Sequence, residues 1–440
     1  MVKAMSLFKS EKKMTLMINI LTTIVYIYLF RRVYIDYLYG YFGFYGYRLT
    51  NQSHISTLIT DILLFIPVLY YKARYKISDV FSIIIYVMIY VPTLVALQYY
   101  YEDYSFIVPY QVLYAFAMIL FFFASSNHIS NERYRKNKHS IKYNSFILLG
   151  LIAILGVFIV FRGNIRLVSF SDVYDLRWSS GDTIADSIPF FGYLYMWMAN
   201  TLSPLFVALG LLLNNKKYVI LGFFMALLYY MTCGMKGTLV VPIIAYIFYK
   251  KLDNPDNMRL VYPVLVLPLI FAYVLLLLFP YEGALGMLIS IILMRTYGIA
   301  SLLTPMYIDV FQTYPYTFYC HVGVINKIFG LYPFDNPSLG TAISEAYGGY
   351  DTESVSNSNF LVTDGIAAGG LVGLFVISVL FYFFLCYLNK LSNNYRFNFV
   401  ISAMAGIIMA FSNVSIFTTI LSCGLILLLV FLRYVKFNKQ

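Results

Sequence analysis

The sequence predicts an all-α polytopic membrane protein, a single integral membrane domain over residues 1–440 with about twelve transmembrane helices and one large, late loop on the outer face. Three observations predict it. The 440-residue chain is 61% hydrophobic and only 12% charged, with a mean hydropathy of +0.75, too little polarity for a water-soluble globule. Apolar runs of about 15–25 residues alternate with polar breaks, the length that crosses a bilayer as a helix. The short alternating runs of a β-barrel do not occur, and backbone groups in lipid must be satisfied within the spanning segment.

In chain order the apolar runs fall at 14–30, 54–71, 79–98, 107–125, 145–161, 190–213, 217–233, 237–250, 260–279, 362–388, 398–414 and 415–432. The start, MVKAMSLFKSEKKMTLMINILTTIVYIYLF, has basic residues ahead of a long apolar run and no small-residue cleavage site after it. It reads as a retained first span rather than a signal peptide. Cys233, Cys320, Cys386 and Cys423 stand singly among apolar segments and read as small core residues, with no spacing that suggests a disulfide or a metal site.

A net charge of +11 would point to nucleic acid in a soluble protein; here it is a topology signal. With the N-terminus in the cytoplasm, most of the 31 Lys and Arg residues fall in inside loops, among them Lys72, Arg74, Lys76, Arg133, Arg135, Lys136, Lys250, Lys251, Arg259 and Arg433. The expectation is a bacterial inner membrane protein with both termini cytoplasmic and no nucleic-acid partner. The basic residues left for the outer boundary are Arg31, Arg32, Arg48, Arg162, Arg166, Arg177, Lys236, Arg295 and Lys327.

Two outer loops hold several of these. The first, 162–189, reads RGNIRLVSFSDVYDLRWSSGDTIADSIP; the second, 280–364, is where hydrophobic runs give way to polar, aromatic and glycine residues. A tight turn, CGMKG, sets Lys236 near the same boundary. Positive charge where the inside rule does not put it calls for a cause, and anion binding is one: arginine offers a planar fork that holds phosphate bidentately. The alternative is local pairing with Asp172, Asp175, Asp182 and Asp186, or snorkelling. Arg295 is set apart, because it lies between GMLISIILM and TYGIASLLTPM, on a helix expected to dip into the membrane or lie along it.

His321, in FYCHVG, suits proton transfer; His54 is a weaker candidate. The carboxylates Glu282, Asp309, Asp335, Glu345, Asp351, Glu353 and Asp364 are alternatives for the base, and the sequence does not rank them. No metal-ligand spacing, P-loop or GxSxG motif is present, so no metal or nucleotide cofactor is expected. The 44 Tyr and 38 Phe read first as an interfacial aromatic belt, and some of them as a sugar groove, with Tyr297 and Tyr319 the candidates in the second loop.

An outer loop bearing VYDLRW, a following GMKG turn, and a late outer loop that begins with MRTYG and closes with NSNFLVTDGIAAGGLVG resemble the layout of bacterial oligosaccharide repeat-unit polymerases, the Wzy-type O-antigen and capsule family. That resemblance implies a GT-C-like membrane glycosyltransferase that moves a growing glycan on undecaprenyl pyrophosphate onto a new lipid-linked repeat unit. It implies work without metal or nucleotide sugar, alongside a chain-length regulator. The family relies on arginines in the two large outer loops, which carries over to Arg166 or Arg177 in the first and Arg295 in the second. Paired Arg-to-Gly repeats are not evident here, so the choice among Arg162, Arg166 and Arg177 stays open. Arg295, Arg177 and Lys236 would carry the pyrophosphate charge, with Arg162 and Arg166 in reserve. His321 or a loop carboxylate would take the acceptor proton. An O-antigen ligase and a lipid-linked oligosaccharide flippase share parts of this layout.

Overall fold

The computed structural model describes residues 2–126, 141–167, 187–336, 338–348 and 355–435, with 176, 179–181 and 183–184; over 2–12 and at 189 only the backbone is described. Among these residues the regular structure is all helical, with one isolated β-bridge between Ile141 and Val435. Among the described residues seven helices are long and apolar enough to cross a membrane: Lys13–Tyr45, Ile77–Tyr100, Tyr104–Phe123, Phe190–Leu212, Pro255–Leu278, Gly283–Thr313 and Leu361–Ser392. His54–Tyr70, Asn144–Val160 and Leu425–Tyr434 are shorter apolar helices. The apolar runs at 398–414 and 415–432 are not continuous helices. Backbone turns at Met404 and at 412–414 break the first, and Gly424, at φ +83° in the left-handed region, breaks the second.

The chain folds as two compact units interleaved in sequence. One comprises 1–127, 256–386 and 412–415; the other comprises 128–255, 387–411 and 416–440.

In the first unit, side-chain contacts fix the direction of each helix. Thr23 bonds the Tyr262 hydroxyl at 3.0 Å, and the Tyr273 hydroxyl donates to Asp36 Oδ2 at 2.8 Å, so Pro255–Leu278 runs parallel to Lys13–Tyr45. Tyr26 bonds the Val87 carbonyl while Tyr34 stacks on Tyr99 at 5.3 Å, which makes Ile77–Tyr100 parallel as well. The unit therefore has a basic end, with Lys72, Arg74 and Lys76, and a tyrosine end, with Tyr45, Tyr47, Tyr99, Tyr100 and Tyr101. Interhelical ties such as Arg31 to Asp61 at 2.7 Å satisfy charges that lipid would not.

Gly283–Thr313 does not cross this unit in spite of its length. It starts at the tyrosine end, where Tyr37 donates to the Tyr281 hydroxyl at 3.1 Å. It then dips until Tyr297 meets the Tyr26 ring and bonds the Leu265 carbonyl. From there it climbs back beside Ile77–Tyr100: Thr304 sits 3.3 Å from Thr93, and Asp309 accepts from Tyr101 at 2.6 Å. The reversal falls in the π-helical turns Ile291–Gly298, where the backbone ladder is loosened, and Pro305 adds a missing donor just beyond.

A second re-entrant piece follows. Phe375 stacks on Phe116 at 5.5 Å and Phe381 meets Phe121 at 4.9 Å, so residues 371–386 descend from the tyrosine end alongside Tyr104–Phe123. Phe360 already lies against Phe381 at 4.4 Å, so residues 361–368 must rise before the chain turns over. The turn is at Gly369 and Gly370. Gly370, at φ +58° and ψ −134°, occupies a conformation that side chains do not tolerate, and a Cβ there would collide with Tyr316. Gly365 and Gly373 let the two arms touch backbone to backbone.

The second unit packs around Ala153, Val157, Met198, Leu202, Phe206 and Met225, all fully buried. Tyr195 stacks on Tyr229 at 4.3 Å. Gly222 brings Lys216–Cys233 against the Ser203 carbonyl, a close approach that only a small residue permits.

Candidate functional site

The polar stretch before the second re-entrant helix forms a strained turn. Phe318 and Tyr319 adopt φ of +45° and +65°, left-handed values that cost an aromatic residue about 1–3 kcal/mol each and that collect at functional sites. Main-chain bonds hold the turn against the rising arm: Thr317 N–H donates to the Ala367 carbonyl at 2.8 Å and Phe318 N–H to the Ala368 carbonyl at 3.1 Å.

This docking sets His321 against Asp364. The His321 Nε2 to Asp364 Oδ1 distance is 3.1 Å, and the side chains are 5% and 0% exposed. On the other side of the ring, His321 Nδ1 lies 3.0 Å from the Thr317 hydroxyl, which also reaches the Ala367 carbonyl at 3.1 Å. The Tyr319 ring is 6.2 Å from the imidazole; burial and then the Asp364 charge push its hydroxyl above the usual tyrosine range.

The hydrogen-bond arithmetic gives this cluster two self-consistent states. A hydroxyl has one proton. If Thr317 donates it to Nδ1, the ring proton sits on Nε2 and points at the Asp364 carboxylate. If Thr317 donates to the Ala367 carbonyl, Nδ1 carries a proton to Thr317 and a second proton lies between Nε2 and Asp364. Rotation of one hydroxyl therefore accommodates uptake or release of a proton by the His321–Asp364 pair, the behaviour required of a general base.

The other predicted residues are placed as follows. Arg295 lies in the π-helical reversal of the first re-entrant helix, exposed, with no ion pair or hydrogen bond among the described residues. Its charge is felt by Tyr47, whose hydroxyl donates to the Gly298 carbonyl at 3.1 Å. Tyr297 is buried, with its hydroxyl on Leu265, so in this structure it anchors the reversal. No hydrogen bond or ion pair joins Arg295 to His321. Arg162, Arg166 and Lys236 belong to the second unit: Arg162 and Arg166 are exposed, with Arg166 N–H donating to the Met231 carbonyl at 3.1 Å, and Lys236 is half-buried at the start of Gly237–Lys251. Arg177 lies outside the described residues.

Sequence reasoning missed a second cluster, at the tyrosine end of the first unit. Asp309 accepts from Tyr100 at 2.7 Å and Tyr101 at 2.6 Å, and Tyr100 also bonds the Tyr347 hydroxyl. Arg48 lies 4.0 Å from the same carboxylate with its guanidinium 4.4 Å above the Tyr100 ring. Burial, followed by the Asp309 charge, drives the Tyr101 hydroxyl far above its usual range. The sequence signals were the count of Arg48 among outer-boundary cations and of Asp309 among the loop carboxylates, with nothing to pair them.

Comparison with protein-family models, with curated proteins and with solved structures finds no match for the chain.

Proposed function

We propose that the chain is a membrane glycosyltransferase that polymerises oligosaccharide repeat units carried on undecaprenyl pyrophosphate into O-antigen or a related surface polysaccharide. The reaction runs on the outer face of the bacterial inner membrane, with both termini in the cytoplasm. The observation that carries this reading is the buried His321–Asp364 pair, held by a strained turn on a re-entrant helix. A sugar pyrophosphate is already an activated donor, so transfer needs a base for the acceptor hydroxyl and positive charge for the leaving group. The acceptor oxygen bonds the anomeric carbon as the bond to pyrophosphate oxygen breaks. The acceptor proton passes to His321–Asp364, and the lipid pyrophosphate departs. Arg295, with no ion pair among the described residues, is the cation of the first unit suited to that anion.

The test is complementation of a deletion strain: wild-type gene restores polymer, and Arg295→Ala leaves inserted, stable protein without polymer. Near-normal chain length from Arg295→Ala removes the charge clamp. If loss of the gene leaves lipid A core with no repeat unit at all, the chain is a ligase. The two re-entrant helices favour one second reading, a lipid-linked oligosaccharide transporter, since such broken helices build midplane substrate sites. Accumulation of unflipped repeat units in the deletion strain would select it.

A further inference from the structure

Residues 355–360 lead into the second re-entrant helix and carry polar groups that the transfer step leaves unused. Ser358 and Asn359 are 2% and 1% exposed. Asn359 Oδ1 has a structural task, accepting the Leu361 N–H at 3.0 Å to cap the rising arm. Its Nδ2, the Ser358 Oγ and the Tyr332 hydroxyl have no hydrogen-bond partner among the described residues. A buried polar group left so is destabilising, and three in one region are a cost that a ligand would relieve.

The three groups belong to the neighbourhood of the dyad. Tyr307 donates to the Ser356 carbonyl at 2.8 Å, two residues before Ser358, and lies within electrostatic reach of both Tyr332 and Asp364. Asp364 follows Asn359 by little more than one helical turn. The chemistry of the set is neutral: two hydroxyls and an amide, with the Asp364 and Glu345 carboxylates as the charges around them. Lys327, the one Lys or Arg between Pro305 and Ala368, is exposed. A phosphate would meet those carboxylates with Lys327 exposed and Arg48 already engaged by Asp309 and the Tyr100 ring, whereas a sugar ring brings hydroxyls that both accept and donate.

We propose that Ser358, Asn359 and Tyr332 form a subsite for a neutral sugar ring, which on the polymerase reading is the acceptor sugar whose hydroxyl faces His321. The pyrophosphate then binds elsewhere, and the two halves of the substrate are separately recognised.

Purified full-length protein in nanodiscs, melted with and without free neutral monosaccharides (glucose, galactose, N-acetylglucosamine, rhamnose) or sodium pyrophosphate, tests this. At least one sugar should raise the melting midpoint of the wild type. Ser358→Ala and Tyr332→Phe delete only unpartnered groups, so both should fold at least as stably, yet weaken the sugar response about tenfold, the effect of about 1.4 kcal/mol. Asn359→Ala should weaken it too, and any pyrophosphate response should survive all three. No sugar response in the wild type overturns the subsite, as does a sugar response unchanged in Ser358→Ala and Tyr332→Phe, or a pyrophosphate response lost in them. Sugar binding that behaves as expected in a protein that makes no polymer would keep the subsite and overturn the polymerase reading.

Discussion

Replacing Asp364 by Asn keeps its shape and removes its charge. The bond to His321 Nε2, 3.1 Å long between groups that are 5% and 0% exposed, changes from charge-assisted to neutral. That difference is worth about 1 kcal/mol, small enough for the helix and its turn to remain folded. If the pair receives the acceptor proton, removal of the carboxylate disables the base, and loss of general-base catalysis costs about 10²–10⁴-fold in rate, or roughly 3–5 kcal/mol. The gap between these two magnitudes is the test. Polymer formation from lipid-linked repeat units in membrane vesicles, normalised to folded protein by fluorescence size exclusion, measures the rate; a melt of the purified protein measures the stability. A purely structural dyad predicts a rate that falls only with the amount of folded protein. Half the wild-type rate per folded Asp364→Asn molecule would refute the reasoning.

Other changes probe the scaffold and the charges. Gly373→Ala puts a methyl group into the Gly365 carbonyl, where both neighbours are backbone, and should cost about 1–3 kcal/mol or more and cut the folded yield; an unchanged melt would contradict the re-entrant hairpin. Asp309→Ala strips Tyr100 and Tyr101 of their common acceptor and should destabilise by about 3 kcal/mol, seen as a lower melting midpoint, whereas Asp309→Asn should lose less. Arg295→Ala should leave the melt within about 0.5 kcal/mol of wild type, since the side chain is exposed and makes no ion pair among the described residues, while abolishing polymer.

The helices were legible because hydrophobic run length is a local property; the partners were not, because they are set by tertiary return paths. The isolated charge of Arg295 in an apolar run was enough to expect a helix that dips or lies along the membrane; in the structure it lies in the π-helical turns Ile291–Gly298. His321 stood out as the one histidine of its loop, but its partner was one carboxylate among seven. Asp364 is selected 43 residues later by a hairpin whose only sequence trace is the Gly369–Gly370 pair after TDGIAA. The Arg48–Asp309 cluster bridges 261 positions and left no periodic signal. Runs 398–414 and 415–432 looked like spans because a turn at Met404 or Gly424 does not lower the hydrophobicity of a window.

The most direct measurement of the central claim is the surface-polysaccharide ladder of a strain deleted for this gene and complemented with wild type or with His321→Ala, at matched membrane levels of protein. The account predicts a full ladder with wild type, and single repeat units without polymer for both His321→Ala and the empty vector. A full-length ladder in the His321→Ala strain, or in the deletion strain itself, would contradict it.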